Sequence, residues 1–311
     1  MRKKIEFEYI KCNICGKDDS EHLFTVEDKQ SRFSKKFSIV KCKNCSLVYI
    51  NPRPKKHEIG RFYLEKYFSP TAYSGTELEQ MLWYFLLKIF SRSSRIAFLY
   101  IISLLKNKSS GKVLDVGCGY GELLKLLKED GWKTYGVDIS STAAKKARGK
   151  GLDVFTGELI DAGFLDKYFD VVILHHSLEH MHDPTEVLRE VHRILKDNGI
   201  LIISVPNIDS IEAKIFQKNW FAIEAPRHLY NFSVHTLDLL LNKIGFIRQT
   251  VWFDPTPMTL INSMKQIIEN KLPRILTHLV IFIFSIILLP INFILVICHS
   301  GALFTVSANK K

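Results

Sequence analysis

Val113-Leu-Asp-Val-Gly-Cys-Gly-Tyr-Gly121 decides how this 311-residue chain reads. A short apolar run closes on an aspartate, three glycines alternate, and an amphipathic segment follows, which is the pattern of a strand, a tight loop and a helix. Glycines at such a turn let backbone approach a ligand that a side chain would exclude. Downstream, the same alternation continues. Strands are predicted at 112–116, 133–138, 152–156, 169–174, 199–205 and 247–253, and helices at 121–130, 141–149, 184–196 and 235–244. Ser140 and Asp183 are placed as N-caps, with Pro184 at a first helical position. Strands alternating with helices imply an α/β fold whose sheet is largely parallel and doubly wound.

Ahead of this core stand two Cys-x-x-Cys pairs, Cys12/Cys15 and Cys42/Cys45. Four thiolates on two such knuckles suit a tetrahedral zinc ion, and with every position filled by protein the metal would be structural. Asn51-Pro-Arg-Pro54 then marks an exit turn. The expected organisation is a zinc ribbon over 1–55, a helical linker or cap over 56–110, the core over 111–260, an apolar insert over 261–300 and a final core strand over 301–311. The stretches 81–90 and 96–105 are apolar around much of their circumference, as helices packed on the core or lying on a bilayer would be.

Composition is that of a folded protein, 47% hydrophobic and 24% charged. The net charge of +11 suits an anionic surface or substrate, but the basic residues are dispersed and no aromatic stripe interleaves with them. No nucleic acid is expected as partner. Cys118 and Cys298 lie outside the paired motifs, so the cysteines do not form a disulfide framework, and MRKKIEFEYI lacks the apolar run of a secretory signal. A cytoplasmic setting is expected.

Between Arg274 and Lys310 there is no Asp, Glu, Lys or Arg, and 275–298 is almost wholly apolar. As one helix of ~24 residues it would reach roughly 36 Å. The β-branched segment 301–308 that follows reads as a strand of the main sheet, so the apolar insert must leave and return. Pro290 is the expected bend, giving a re-entrant or interfacial anchor at the inner face of the cell membrane rather than a span.

The glycine spacing, with Asp115 before it and Asp138 closing the next strand about 20 residues on, resembles the first motifs of class I S-adenosylmethionine-dependent methyltransferases, a Rossmann-like family. The likeness covers 111–253 and resumes at 301–308. It implies that Asp115, Gly117 and Gly119 hold the methionine part of S-adenosylmethionine, Asp138 the ribose and Ile139 the adenine. Glu158 would line the adenine edge, and His175 is assigned to the cofactor side. Leu178-Glu-His180 with Asp183-Pro184 also matches relatives at this point, including ubiquinone-type O-methyltransferases, which carry a glutamate where this chain has His176. Pro226-Arg-His228 resembles a stretch in relatives that join a cysteine ribbon to this fold, some of them associated with surface polysaccharide pathways.

A sulfonium methyl is already activated, so the protein must align a nucleophile and remove its proton. His180 and His228 are the expected general bases. The acceptor is read as a glycan, a lipid-linked sugar or a quinol-type small molecule, methylated on oxygen. The rival reading is a non-catalytic scaffold recruiting a protein or nucleic acid, which intact Asp115, Gly117, Gly119 and Asp138 oppose. An RNA methyltransferase would suit the charge, yet Asp183-Pro184 lacks the following aromatic of the amino-methylating tetrad.

Overall fold

The cysteine pairs and the glycine loop fall on two different sheets, and one short strand ties those sheets together. The computed structural model describes residues 5–28, 35–63, 96–106, 110–269 and 271–311. The apolar stretch 81–90 lies outside these residues.

In the N-terminal part, β1 (Phe7–Glu8) pairs with β5 (Arg53–Pro54), while β2 (Ser20–Glu27), β3 (Lys36–Cys42) and β4 (Val48–Ile50) form an antiparallel meander. A short helix, α1 (Lys56–Ile59), ends this part, and α2 spans 96–105. The core follows as β6 (Lys112–Val116), α3 (Glu122–Glu129), β7 (Lys133–Asp138), α4 (Ser141–Arg148), β8 (Asp153–Thr156), β9 (Phe169–His175), α5 (Pro184–Ile194) and β10 (Leu195–Pro206). After α6 (Ile211–Phe216) come β11 (Tyr230–Asn231), α7 (Val234–Ile244), β12 (Phe246–Phe253), α8 (Met258–Ile268), α9 (Arg274–Ile297) and β13 (Leu303–Lys310).

The main sheet has the order β12-β13-β10-β9-β6-β7-β8. Strands β6 to β10 are mutually parallel, whereas β13 runs antiparallel between β10 and β12. This is the α/β class the strand pattern predicts, with 301–308 inside the sheet. Buried on both faces, β6 and β9 are largely apolar without a strict alternation, as central parallel strands are, with Asp115 the buried polar exception in β6. Local chemistry agrees with the sheet. Ser140 Oγ accepts from Ala143 N at 3.2 Å, Asp183 Oδ1 accepts from Glu186 N at 3.0 Å, and Pro184 opens α5, so orphan amides at both helix starts are satisfied. Helix α2 packs Ile101 and Leu105 onto the sheet face around Val113, Leu127 and Ile173, which answers for 96–105 whether it covers the core.

Strand β11 pairs with β4, so the four-stranded N-terminal sheet is completed by chain from beyond β10. Polar contacts reinforce the join. Arg53, 8% exposed, donates to Tyr230 Oη at 2.9 Å and to His182 O at 2.7 Å, and Arg227, 1% exposed, meets Asp28. A buried guanidinium needs such partners because its charge cannot be left unsolvated.

The apolar insert differs from its expected shape. It leaves and returns, but the reversal lies between α8 and α9 rather than at Pro290, and the backbone of α9 is helical without a break through position 290. Pro273 stands just before α9, where no amide is required of it, so the turn forms there at little cost. Helices α8 and α9 pack through Ile261 and Ile281, and Asn292 Nδ2 donates to Pro255 O. Among the described residues, no helix is long and apolar enough to cross a membrane.

Candidate active site and cysteine cluster

Cys12, Cys15, Cys42 and Cys45 converge with their sulfurs all within 4.8 Å of one another. The two knuckles are folded alike. Gly16 N donates to Cys12 O and Ser46 N to Cys42 O, with Gly16 and Ser46 both left-handed at φ +72° and +65°. Cys12 and Cys45 stand 3.3 Å apart and Cys15 and Cys42 3.5 Å, far beyond a disulfide bond and close to the roughly 3.8 Å edge of a tetrahedron with about 2.3 Å metal–sulfur bonds. Burial pushes the thiols of Cys12 and Cys45 up, Cys45 to about 11, whereas at Cys42 burial is outweighed by the N–H groups of Cys45 and Asn44, which bring it to about 7. Four converging sulfurs, those of Cys12, Cys42 and Cys45 buried, fit a thiophilic cation.

Across the join, the glycine loop leaves β6 at the carboxyl edge of the sheet, where open α/β sheets bind ligands. Gly117 N and Cys118 N both donate to Val137 O, which pins the loop to the end of β7. Gly117 has φ +81°, and a Cβ there would lie 2.6 Å from Ser177 Cβ, so only glycine fits. Above Gly119, by contrast, a Cβ would meet nothing within 4 Å, leaving backbone open to a ligand.

Asp115 is 3% exposed, and among the described residues its Oδ1 has no hydrogen-bond partner. Burial, with the charge of Asp138 adding to it, pushes its carboxyl up to about 7. Burial also raises Asp138, against the N–H groups of Ser140 and Gly119 that its oxygens accept at 2.8 and 2.7 Å. Two buried acids with no cation between them are poised for a positively charged ligand. S-adenosylmethionine, with an ammonium and a sulfonium, has the matching chemistry. Ile139 follows with its side chain 73% exposed, free to cover a ring. Glu158 meets Lys56 Nζ at 2.7 Å, so the segment after β8 is held by the chain just past β5. His175 turns its ring edge-on to Phe98 of α2 at 5.1 Å, and its Nδ1 is buried without a partner. Burial lowers its pKa to about 3, so it is a neutral imidazole.

His180 and His228, remote in sequence, come together with ring centroids 4.6 Å apart. His180 Nδ1 lies 3.0 Å from Arg227 O, and His228 Nδ1 lies 2.7 Å from Ala222 O. A carbonyl only accepts, so each Nδ1 carries a proton, which leaves Nε2 of His180 as its basic nitrogen. Burial, with His228 beside it, lowers His180 to about 4 and keeps it neutral at pH 7. Glu179 lies under both, 1% exposed, and one oxygen from it falls within 4.8 Å of a nitrogen of each ring. Burial alone would raise this acid. His176, His180 and His228 together bring it down to about 2.

Two participants carry no sequence signal of their own. Tyr63, just past α1, places Oη 3.0 Å from His180 Nδ1. Glu224 places Oε2 3.4 Å from His228 Nε2. Glu179 stands in the Leu178-Glu-His180 string that the sequence singles out, whereas its burial is a property of the fold.

A family model described as a methyltransferase domain matches residues 92–248, half of the chain. An uncharacterised protein of Methanocaldococcus jannaschii is 34% identical over 42% of this chain and 62% of its own length. A ubiquinone biosynthesis O-methyltransferase of Pasteurella multocida is 32% identical over 35% of this chain and 51% of its own, so this chain spans about half the length of that relative. Among solved structures, a SAM-dependent methyltransferase from Archaeoglobus fulgidus superposes with a TM-score of 0.50 at 24% identity, over 73% of this chain and 99% of that one, a likeness of fold. The glycine loop, the strand order and the family match agree, and the chain belongs to the class I S-adenosylmethionine-dependent methyltransferases.

Proposed function

We propose that this chain transfers the methyl group of S-adenosylmethionine to a hydroxyl of a small or lipid-linked acceptor: a glycan, a lipid-linked sugar or a quinol. The observation that carries the reading is the buried, unpartnered carboxyl of Asp115 beneath backbone left open at Gly119. Asp115 receives the cofactor's ammonium, Gly117 and Gly119 admit its methionine part, Asp138 accepts from the ribose hydroxyls and Ile139 covers the adenine. When bound, the cofactor supplies a methyl carbon already activated by positive sulfur. The protein aligns the acceptor and removes its proton. That proton passes into the cluster gathered by Glu179, whose buried imidazoles are His180 and His228. Zinc in the four-cysteine cluster is structural, holding the ribbon that β11 joins to this site.

The acceptor class draws support from the insert. Leu276, Leu279, Ile283, Ile294 and Ile297 of α9 are 42–61% exposed, and Glu269 is the last acidic residue of the chain. An exposed apolar helix with Lys271 and Arg274 at its start fits the surface of an anionic bilayer, where an amphiphilic acceptor resides. We place the protein at the inner face of the cell membrane on that ground. Calorimetry with S-adenosylmethionine, followed by transfer of labelled methyl to a cell lipid and glycan extract, tests the reading. Absence of cofactor binding would overturn it.

A further inference from the structure

We infer that His176 is the catalytic imidazole that meets the acceptor, held in its working tautomer by Glu179. The inference rests on the methyl transfer proposed above and names the group at the receiving end of the proton.

The backbone gives the first indication. His176 follows β9 at the carboxyl edge of the sheet with φ +51°, a left-handed conformation that costs a residue with a Cβ roughly 1–2 kcal/mol. Its N–H donates to Ser204 O of β10 at 2.9 Å, so the strained turn is tied into the sheet. Such strain tends to sit at functional positions. The next residue, Ser177, is the one pressed against Gly117, which sets His176 beside the loop that admits the cofactor.

The side chain gives the second. His176 Nδ1 faces Glu179 Oε1 at 3.4 Å, and among the described residues no hydrogen bond reaches either oxygen of that buried acid. A buried carboxylate opposite one ring nitrogen favours the proton there, so the other nitrogen, Nε2, is left bare as the base. The His176 side chain is 33% exposed, whereas that of Glu179 is 1% exposed. His180 and His228 instead direct their Nδ1 atoms to backbone carbonyls and face each other inside the cluster. The other ionisable groups facing His176 are His175, with its ring centroid 4.6 Å away, and Asp254 beyond β12.

The step balances without a further reactant. As the acceptor oxygen bonds to the methyl carbon, the carbon–sulfur bond breaks and its electron pair stays on sulfur, giving neutral S-adenosylhomocysteine. The acceptor's O–H proton passes to His176 Nε2, so the positive charge lost by sulfur appears on imidazolium. Glu179, positioning rather than touching the acceptor, stabilises that charge.

The test compares His176→Gly, His176→Gln and Glu179→Gln in the full chain. Glycine relieves the left-handed backbone, so His176→Gly should melt at or above wild type and bind S-adenosylhomocysteine with unchanged affinity. Its transfer of labelled methyl to the lipid and glycan extract should fall roughly 10²–10⁴-fold, with partial rescue by added imidazole. Turnover of both His176 variants within about threefold of wild type would overturn the inference. Nitrogen-15 spectra of labelled histidines need no acceptor: they should show His176 protonated at Nδ1 in wild type and shifted in Glu179→Gln. A wild-type His176 protonated at Nε2 would sink the dyad, whereas cofactor binding with no transfer to any extract would count against the acceptor reading alone.

Discussion

Gly117 and Ser177 approach so closely that a Cβ on the glycine would lie 2.6 Å from that of the serine. The loop after β6 and the loop after β9 are therefore locked face to face, one presenting the glycine turn and the other the histidine cluster. Gly117→Ala meets both this clash and a φ of +81°. It should destabilise the fold by about 1–3 kcal/mol and weaken S-adenosylhomocysteine binding roughly tenfold or more, read by thermal unfolding and calorimetry. Gly119→Ala, with open space above it, should fold more nearly like wild type and lose mainly cofactor affinity.

Asp115 should make S-adenosylhomocysteine binding depend on pH. Its carboxyl is raised from the usual 3.8 to about 7 in the free protein by burial and by Asp138. Stability associated with keeping it protonated is fully present below pH ~4 and is lost as pH rises toward 7, on the order of 4 kcal/mol. A bound ammonium favours the ionised acid, so binding releases a proton below neutrality. S-adenosylhomocysteine should raise the melting temperature more at pH 8 than at pH 6, and Asp115→Asn should abolish the difference. An equal increment at both values in the wild type would contradict the carboxyl's role.

His180→Ala and His228→Ala should each lower turnover roughly tenfold or more while cofactor affinity stays within about threefold. Steady-state kinetics beside calorimetry separates the two quantities. Tyr63→Phe, which removes only the oxygen 3.0 Å from His180 Nδ1, should give a smaller loss of turnover with the same affinity.

Metal analysis should find one zinc per chain. Cys42→Ser, at a fully buried sulfur, should lower the melting temperature by about 10 °C, in line with a loss of about 3–5 kcal/mol. A chelator should do the same to wild type and add little to the variant.

Flotation with anionic vesicles should carry the wild-type protein upward. Replacing Leu279, Ile283 and Ile294 of α9 by asparagine should leave it at the bottom without changing cofactor binding, since these side chains are 47–57% exposed. Neutral vesicles should bind less, and high salt should weaken the difference.

The sheet was legible because its strands obey a period. Val113 to Val116 and Phe169 to Leu174 are apolar apart from one aspartate each and are bounded by turn residues, and Ser140, Asp183 and Pro184 announce helix starts through backbone chemistry that acts locally. The cysteine cluster was legible for the same reason, since two equal spacings make two equal knuckles. What was hidden depends on distance through space. Tyr230–Asn231 is too short to show any period, so its pairing with β4 has no signature in the sequence. The reversal of the insert was misplaced because Pro290 forbids one amide bond without forbidding a helix, whereas the link between α8 and α9 ends in Pro273. Glu179 is an ordinary surface-type residue by letter. Its significance lies in being sealed from water between two segments some 50 residues apart, which no local pattern records.

A single residue, Leu229, takes a hydrogen bond on its carbonyl from Ile50 N of β4 at 3.0 Å and gives one from its N–H to Glu179 O at 2.8 Å. Anyone building chimeras should therefore not treat the first 55 residues as an exchangeable cartridge. Swapping them for a foreign ribbon would detune the very carbonyl that seats the acid, and transplants would keep their geometry only when 226–232 travels with them.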